Sequence, residues 1–475
     1  MTISKFMFCC SWFMVFIACT PQLPNPANIT PVTAVPTLDV NNRDVLCQMV
    51  DEQAGGNLDL LIYALEALAT LDAVCADGIT ISSQLYTAYL GYGTQLEGQG
   101  DLDEALQAYQ KALEYDRDGQ EAAVRLQRLQ IATPMPPERC ENAVVTAALQ
   151  ALKPYIPTEG RFVRIIENNF VLENARFPVY GVNYYPRSTP FNLFLTATPL
   201  EVVAAELDIV KRSGINTLRI FLRNQDLFIC PGNGAVPNIV NFQRLDGMIH
   251  TMAAQGFRIL PVLNDAADLA EYPLYDNPYH IVEQTRFIVE RYRNESAILA
   301  WDVRDKGDQD YLYGQFRREK VLTWLADTVR AVRRADPNHP ITAGWWTDAE
   351  ATAPLVDFVS FQHYGEYEPL RQMIAILRDN TNKPILMTAI GYSTHSLDEV
   401  AQRNLLYQSL EEASNTRLAG WVIYLAFDFP RTVTCTPPDC PGEEKEINRF
   451  GLWNTSYFPK LAVEAVMRVT GVEAQ

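Results

Sequence analysis

The stretch TPLEVVAAELDIVKRSGINTLRIFL, residues 198–222, decides the class of fold. Leu200, Val203, Leu207 and Val210 fall three or four apart, one apolar stripe of a helix lying on a core. Thr198 and Glu201 have the spacing of a capping box at its start, and Gly214 supplies its stop. The apolar run Thr217–Phe221 follows at once, interrupted only by Arg219. A helix that turns directly into such a run reads as one unit of a β/α alternation.

The alternation continues on both sides. Candidate strands are Val179–Tyr184, Thr217–Phe221, Arg258–Leu263, Ile298–Val303, Ile341–Ala343, Phe358–Gln362, Ile385–Thr388 and Trp421–Leu425. Helical stretches such as His280–Arg293 and Arg317–Ala335 lie between them. Near-continuous apolar strands are expected where a parallel sheet is covered on both faces. Eight such units within residues 160–475 favour an α/β chain closed into a (β/α)8 TIM barrel over an open sheet. Phe162–Ile166 and Phe170–Leu172, around Asn168-Asn169, read as a small hairpin ahead of it.

Upstream the pattern changes. Residues 45–135 are rich in Ala, Leu and Gln with helical periodicity, and 136–159 read as a linker. In LYTAYLGYGTQLEGQGDLDEALQAYQKALEYD (85–116), Gly98 and Gly100 break one helix. Ala105, Tyr109, Ala112 and Leu113 then mark the face of a second. The pair resembles a tetratricopeptide repeat, with a weaker echo, GNLDLLIYALEAL, from Gly56. The resemblance implies a small all-α domain. Two roles stand open for it, a docking surface for a protein partner and a spacer packed on its neighbour.

The first 18 residues, MTISKFMFCCSWFMVFIA, place one lysine before an apolar run shorter than the ~20 residues of a bilayer span. This is the form of a signal peptide. Its end, Phe16-Ile17-Ala18-Cys19, resembles a bacterial lipoprotein box, which implies lipidation at Cys19 and an extracytoplasmic, membrane-anchored chain. An ordinary secreted protein is the alternative. Residues 19–44 form a Pro-rich linker. Cys47, Cys75, Cys140, Cys230, Cys435 and Cys440 remain for disulfides. Spacing leaves their pairing open, with Cys435–Cys440 the one expected bond, because it closes the short loop CTPPDC.

The net charge of −18, with no basic run, disfavours nucleic acid as a partner. Five scattered histidines, without HExxH or a close His/Cys cluster, give no expected metal site, and no cofactor motif occurs.

Function in a barrel of this kind is expected at the C-terminal ends of the strands. Those ends carry Asn183-Tyr184-Tyr185, Arg219, Asn264-Asp265, Asp302–Asp308, Trp345-Trp346, His363-Tyr364, Ala389–Tyr392 and Tyr424–Asp428. Aromatic faces among hydrogen-bonding side chains suit sugar rings. FPVYGVNYYP (177–186), GINTLRIFL (214–222), RYRNESAILAWDVRDKGD (291–308), VDFVSFQHYG (356–365), KPILMTAIGYST (383–394), AGWVIYLAFDF (419–429) and FGLWNTSYFPKLAVEAV (450–466) occur in order. In that order they resemble the retaining glycoside hydrolases of the cellulase and β-mannanase type. The resemblance covers residues 160–475 and implies a poly- or oligosaccharide partner. It implies Arg219, Asp305, His363, Tyr364, Tyr392 and Tyr424 as cleft residues, with Trp345 and Trp346 flanking.

The departures from that family fall on its chemistry. The general acid/base glutamate after strand four is Lys306 here, and the nucleophile of strand seven is Ala389. Retaining hydrolysis needs two carboxyl groups ~5–5.5 Å apart, one to protonate and one to attack. A methyl group cannot attack, and an ammonium with a reference pKa of ~10.4 is a poor base for the second step. The reading is therefore a degenerate barrel that binds sugar without cutting it. An active hydrolase with relocated carboxylates is the alternative, its candidates being Asp305, Asp308, Glu366 and Asp428. Asp302 is expected to be structural, and Asp308 and Asp310 to lie in a solvated loop. A third reading is a non-enzymatic scaffold acting through the helical repeat.

Overall fold

The computed structural model describes residues 43–53, 56–71, 75, 80–99, 101–132, 138–265, 269, 274–275, 280–313, 316–434 and 442–473. The leader, Cys19 and the Pro-rich segment lie outside them, as do Cys435 and Cys440. The chain divides into two compact units, up to Ala88 and from Tyr89 on. No helix among the described residues is long and apolar enough to cross a membrane.

Among the described residues six helices come first: α1 (Arg43–Gln53), α2 (Leu58–Thr70), α3 (Ile81–Gln99), α4 (Leu102–Tyr115), α5 (Gln120–Ala132) and α6 (Asn142–Ala151). In the first unit, Cys47 and Cys75 form a disulfide, and Asn57 caps α2 by accepting from the amides of Asp59 and Leu60. In the second, α3 and α4 close on each other at Gly93. A β-carbon there would stand 2.6 Å from the ring of the buried Tyr109. The Tyr109 hydroxyl donates to Glu97 at 2.8 Å. Asp101, nearly buried at the start of α4, pairs with Arg317 of the barrel.

Eight parallel strands then close a barrel in sequential order. They are β1 (Val179–Asn183), β2 (Thr217–Phe221), β3 (Arg258–Val262), β4 (Trp301–Asp305), β5 (Ile341–Gly344), β6 (Val359–His363), β7 (Ile385–Ile390) and β8 (Gly420–Ile423). The helical layer is α7 (Leu200–Lys211), α8 (Ile239–Ala254), α9 (Ile281–Tyr292), α10 (Arg318–Ala335), α11 (Tyr367–Asn380), α12 (Glu399–Asn415) and α13 (Ala462–Thr470). This is the expected (β/α)8 barrel. The fourth strand starts three residues later than expected, because Ile298–Ala300 form an apolar lead-in that touches β3 only through a bridge from Ile298 to Ile259. The expected capping box is also absent. Thr198 points instead to Thr189, with the two hydroxyls 2.7 Å apart, and Pro199 precedes α7.

The opening hairpin is a three-stranded antiparallel sheet over residues 164–176. It brings Phe170 into a small core with Val179, Leu260, Phe358, Leu386 and Val422. Cys140 and Cys230 form the second disulfide, fixing the segment after α5 to the loop after β2. The amide of Cys140 also donates to Asn233 at 2.8 Å.

Candidate functional site

Arg219 organises the C-terminal end of the barrel. It stands on β2, buried, because four of its five N–H donors are met from β1 and β4. Nε and Nη2 donate to Asp302 at 3.0 and 2.7 Å, Nη2 to Asp305 at 2.6 Å, and Nη1 to Asn183 at 3.1 Å. Asp302 also accepts from the amide of Gly344. Only glycine fits at 344, since a β-carbon there would meet Arg219 Nη2 at 2.6 Å and Asp302 Oδ2 at 3.0 Å. Asp305 Oδ1 accepts again from Gln362 Nε2 at 2.5 Å, and the Tyr364 hydroxyl donates to Gln362 Oε1 at 2.7 Å. Burial alone would raise the Asp305 carboxyl. Arg219 and Lys306 outweigh it and hold it below the usual carboxylate range.

Above this network stands Lys306. Its ammonium lies 4.7 Å from the ring centre of Tyr364, 5.7 Å from that of Trp346 and 5.8 Å from that of Tyr424. Tyr364 and Tyr424 meet edge to face at 4.9 Å, as do Tyr424 and Phe450. Such a box attracts a cation through the ring quadrupoles. The backbone of Lys306 is left-handed, with φ 51°, a conformation that costs a non-glycine residue about 1–3 kcal/mol. On β7, Ala389 is fully buried beside Gln362. Burial, and then Asp305, push the Tyr424 hydroxyl up to about 12.

The mouth thus gathers Arg219, Asp305, Lys306, Trp346, Tyr364 and Tyr424. Other expected residues lie elsewhere. Trp345 is fully buried and donates from Nε1 to the Tyr311 hydroxyl, so it is core and does not flank a cleft. Tyr392 turns into the helical layer, its hydroxyl 2.7 Å from Ser409 on α12. His363 is nearly buried, with Nε2 2.7 Å from the Glu366 carbonyl, and so buttresses the turn into α11.

The relocated carboxylates separate in the same way. Asp308 is not solvated but buried, accepting from the amides of Trp346, Thr347 and Asp348. Asp310 is nearly buried against Arg304 and Tyr275. Asp428 is buried in an ion pair with Lys460, 3.0 Å away, and accepts from the amide of Gly451. Glu366 is exposed at the start of α11. Of the four candidates only Asp305 faces the mouth network. Two participants have no individual role expected from the sequence: Gln362, which bridges Asp305 to Tyr364, and Asp265, named only among the strand-end residues and partly buried just past β3. Burial and the neighbouring Asp305 push the Asp265 carboxyl up to about 6, against Arg304, Arg223 and Arg219.

No protein-family model matches the chain. A mannan endo-1,4-β-mannosidase F of Aspergillus clavatus is 28% identical over 173 residues, which is 30% of this chain and 38% of that protein. The match therefore spans well under half of the curated relative. Among solved structures, a GH5_18 protein of Streptomyces cattleya in complex with Manβ1-4GlcNAc superposes with a TM-score of 0.52 at 15% identity, over 62% of this chain and 80% of that one. An exo-β-1,4-mannosidase of an Opitutaceae bacterium superposes with a TM-score of 0.54 at 18% identity, over 63% of this chain and 60% of that one. The barrel shares the (β/α)8 fold of these two proteins.

Proposed function

We propose that the barrel binds a poly- or oligosaccharide at its mouth without hydrolysing it. The observation that carries this reading is the residue pair at the ends of β4 and β7. Lys306 sits in an aromatic box, and Ala389 is a buried methyl group, where retaining chemistry needs two facing carboxyl groups. The lining for a sugar remains: partly buried Tyr364, Tyr424 and Trp346 offer ring surface, and Asp305 and Lys306 offer an acceptor and a donor. The named substrates of the similar proteins make β-mannan-type oligosaccharides the first ligands to try.

The test is a binding and turnover assay on one preparation. Saturable binding of manno-oligosaccharides, weakened by Tyr424→Ala, is expected, with no reducing ends released. Release that survives Lys306→Ala and stops in Asp305→Asn would replace this reading with that of a relocated hydrolase.

The chain is further proposed to be an extracytoplasmic lipoprotein held by lipidated Cys19, with the Pro-rich segment as spacer. Incorporation of an alkyne-labelled fatty acid, lost in Cys19→Ser, checks this. The helical repeat is assigned the spacer role, which the Asp101–Arg317 pair supports. A partner protein retained by the full chain and lost on disrupting α2 would favour the docking role.

A further inference from the structure

Asp265 is the carboxylate at the mouth that the network leaves unsettled. Val262 on β3 pairs with Asp302 on β4, and the amide of Leu263 donates to the Asp302 carbonyl. Three residues beyond this pair, Asp265 and Asp305 leave the barrel side by side. The amide of Asp265 is taken by the Leu222 carbonyl. Its side chain receives no hydrogen bond from the described residues, whereas Asp305 takes two and Asp302 three.

The charges around it do not balance. Arg219 serves Asp302 and Asp305, and Lys306 adds to Asp305. Arg304 is paired with Asp310 at 3.0 Å, and Arg223 with Asp226 at 3.8 Å. Among these described residues five carboxylates, Asp226, Asp265, Asp302, Asp305 and Asp310, face four cations. The excess falls on Asp265. Tyr185, stacked on Phe221 at 4.9 Å, lies in the field of both Asp265 and Asp305. A part-buried charge without a partner is costly. A sugar hydroxyl would fill a lone pair of Asp265 and leave its charge in place. A ligand ammonium would do both. An acidic sugar would meet Asp265 and Asp305 head on. The surrounding rings already accept one ammonium, that of Lys306.

We propose that the mouth selects a saccharide carrying a free amine, and that Asp265 is the residue that selects it. This rests on the reading of the mouth as a sugar site. The groups that set the charge of Asp265 are Arg219 and Arg223 from β2 and its following loop, Arg304 and Asp305 from β4, and Tyr185 after β1.

The experiment is calorimetric titration of the full chain with three β-1,4 trisaccharides, of glucosamine, N-acetylglucosamine and mannose. At pH 7 the glucosamine trimer is expected to bind about tenfold more tightly than its acetylated counterpart, as a charge-assisted contact allows. That margin should vanish in Asp265→Asn, survive in part in Asp265→Glu, and shrink as pH falls through about 6 and Asp265 takes up a proton. Equal affinities for the amine and its acetylated form, or a preference that persists in Asp265→Asn, would overturn the assignment while leaving a neutral-sugar site standing. Silence with all three sugars would remove the sugar reading and this proposal together. Unfolding of each variant, followed in parallel, separates lost binding from lost structure.

Discussion

The two ends of the barrel share the same strands and settle their polar groups differently. At the N-terminal end, Asp336 accepts from Trp301 Nε1 at 2.8 Å and from the amide of Asn338 at 2.7 Å, and lies 2.6 Å from His339 Nδ1. Glu295, equally buried, accepts from the Tyr155 hydroxyl and from the amides of Thr158 and Ala297. Each of these buried carboxylates is met by several partners, which is the behaviour of structure. At the C-terminal end a similar network under Arg219 ends in a left-handed lysine and an unmatched Asp265. The contrast between carboxylates met by several donors at one end and Asp265 at the other supports the proposal that the C-terminal end takes a ligand.

The comparison is broken most forcefully at its shared element, the buried carboxylate with several partners. Arg219→Met strips Asp302 and Asp305 of their cation, and removing one partner of a buried ion pair costs about 3–5 kcal/mol. The urea midpoint should fall by that measure, and sugar affinity with it. Asp336→Ala, at the opposite end, takes hydrogen bonds from Trp301 and Asn338 and the contact with His339, for about 3 kcal/mol. Here only the midpoint should move. A change in sugar affinity measured well below the transition would show that the two ends are coupled.

Much of this architecture was legible because barrel strands are apolar throughout and helices between them are striped. Thr217–Phe221 coincides with β2, and Arg317–Ala335 with α10 to within a residue. The same signal failed at Ile298–Ala300, since a buried lead-in is as apolar as a strand. At the mouth, the linear order gave Arg219, Asp305, Lys306, Tyr364 and Tyr424, all on or beside strand ends. It did not separate Trp346 from Trp345, because which of two adjacent rings faces inward depends on a turn that Asp308 shapes from 38 residues away. Asp308 itself looked solvated because its partners are backbone amides, which the sequence does not display. Gln362 was hidden for a related reason. One amide side chain in an apolar strand becomes legible only when Asp305 and Tyr364 are seen on either side of it. Disulfide pairing was beyond reach from spacing: Cys140 and Cys230 are 90 residues apart.

Asp265→Asn sharpens the contrast by improving the fold. A carboxyl whose proton affinity is raised on folding binds more protons in the folded than in the unfolded chain between about pH 4 and 6, so stability falls as pH rises through that window. Above it the ionised group is a standing cost. The variant should therefore match the wild type near pH 4 and exceed it by about 2 kcal/mol at pH 7.5, read from urea curves at the two pH values. A gap that does not widen with pH would mean that Asp265 already has its counter-charge, and the imbalance at the mouth would disappear.

The smallest effect concerns Lys306, where two terms of similar size oppose each other. Lys306→Ala removes the cation from among three rings and from beside Asp305 but keeps a β-carbon at φ 51°. Lys306→Gly removes the same cation and the strain with it. Glycine ordinarily destabilises relative to alanine by about 0.5–1 kcal/mol, because it has more freedom to lose on folding. At a left-handed position alanine meets a penalty of about 1–2 kcal/mol that glycine escapes. The second term is the larger, so the glycine variant should be the more stable of the two by roughly 1 kcal/mol, the reverse of the usual order. Alanine ahead of glycine would mean that this turn relaxes once the lysine is gone, which would make the cation in its aromatic box, rather than the fold of the loop, the source of the strain.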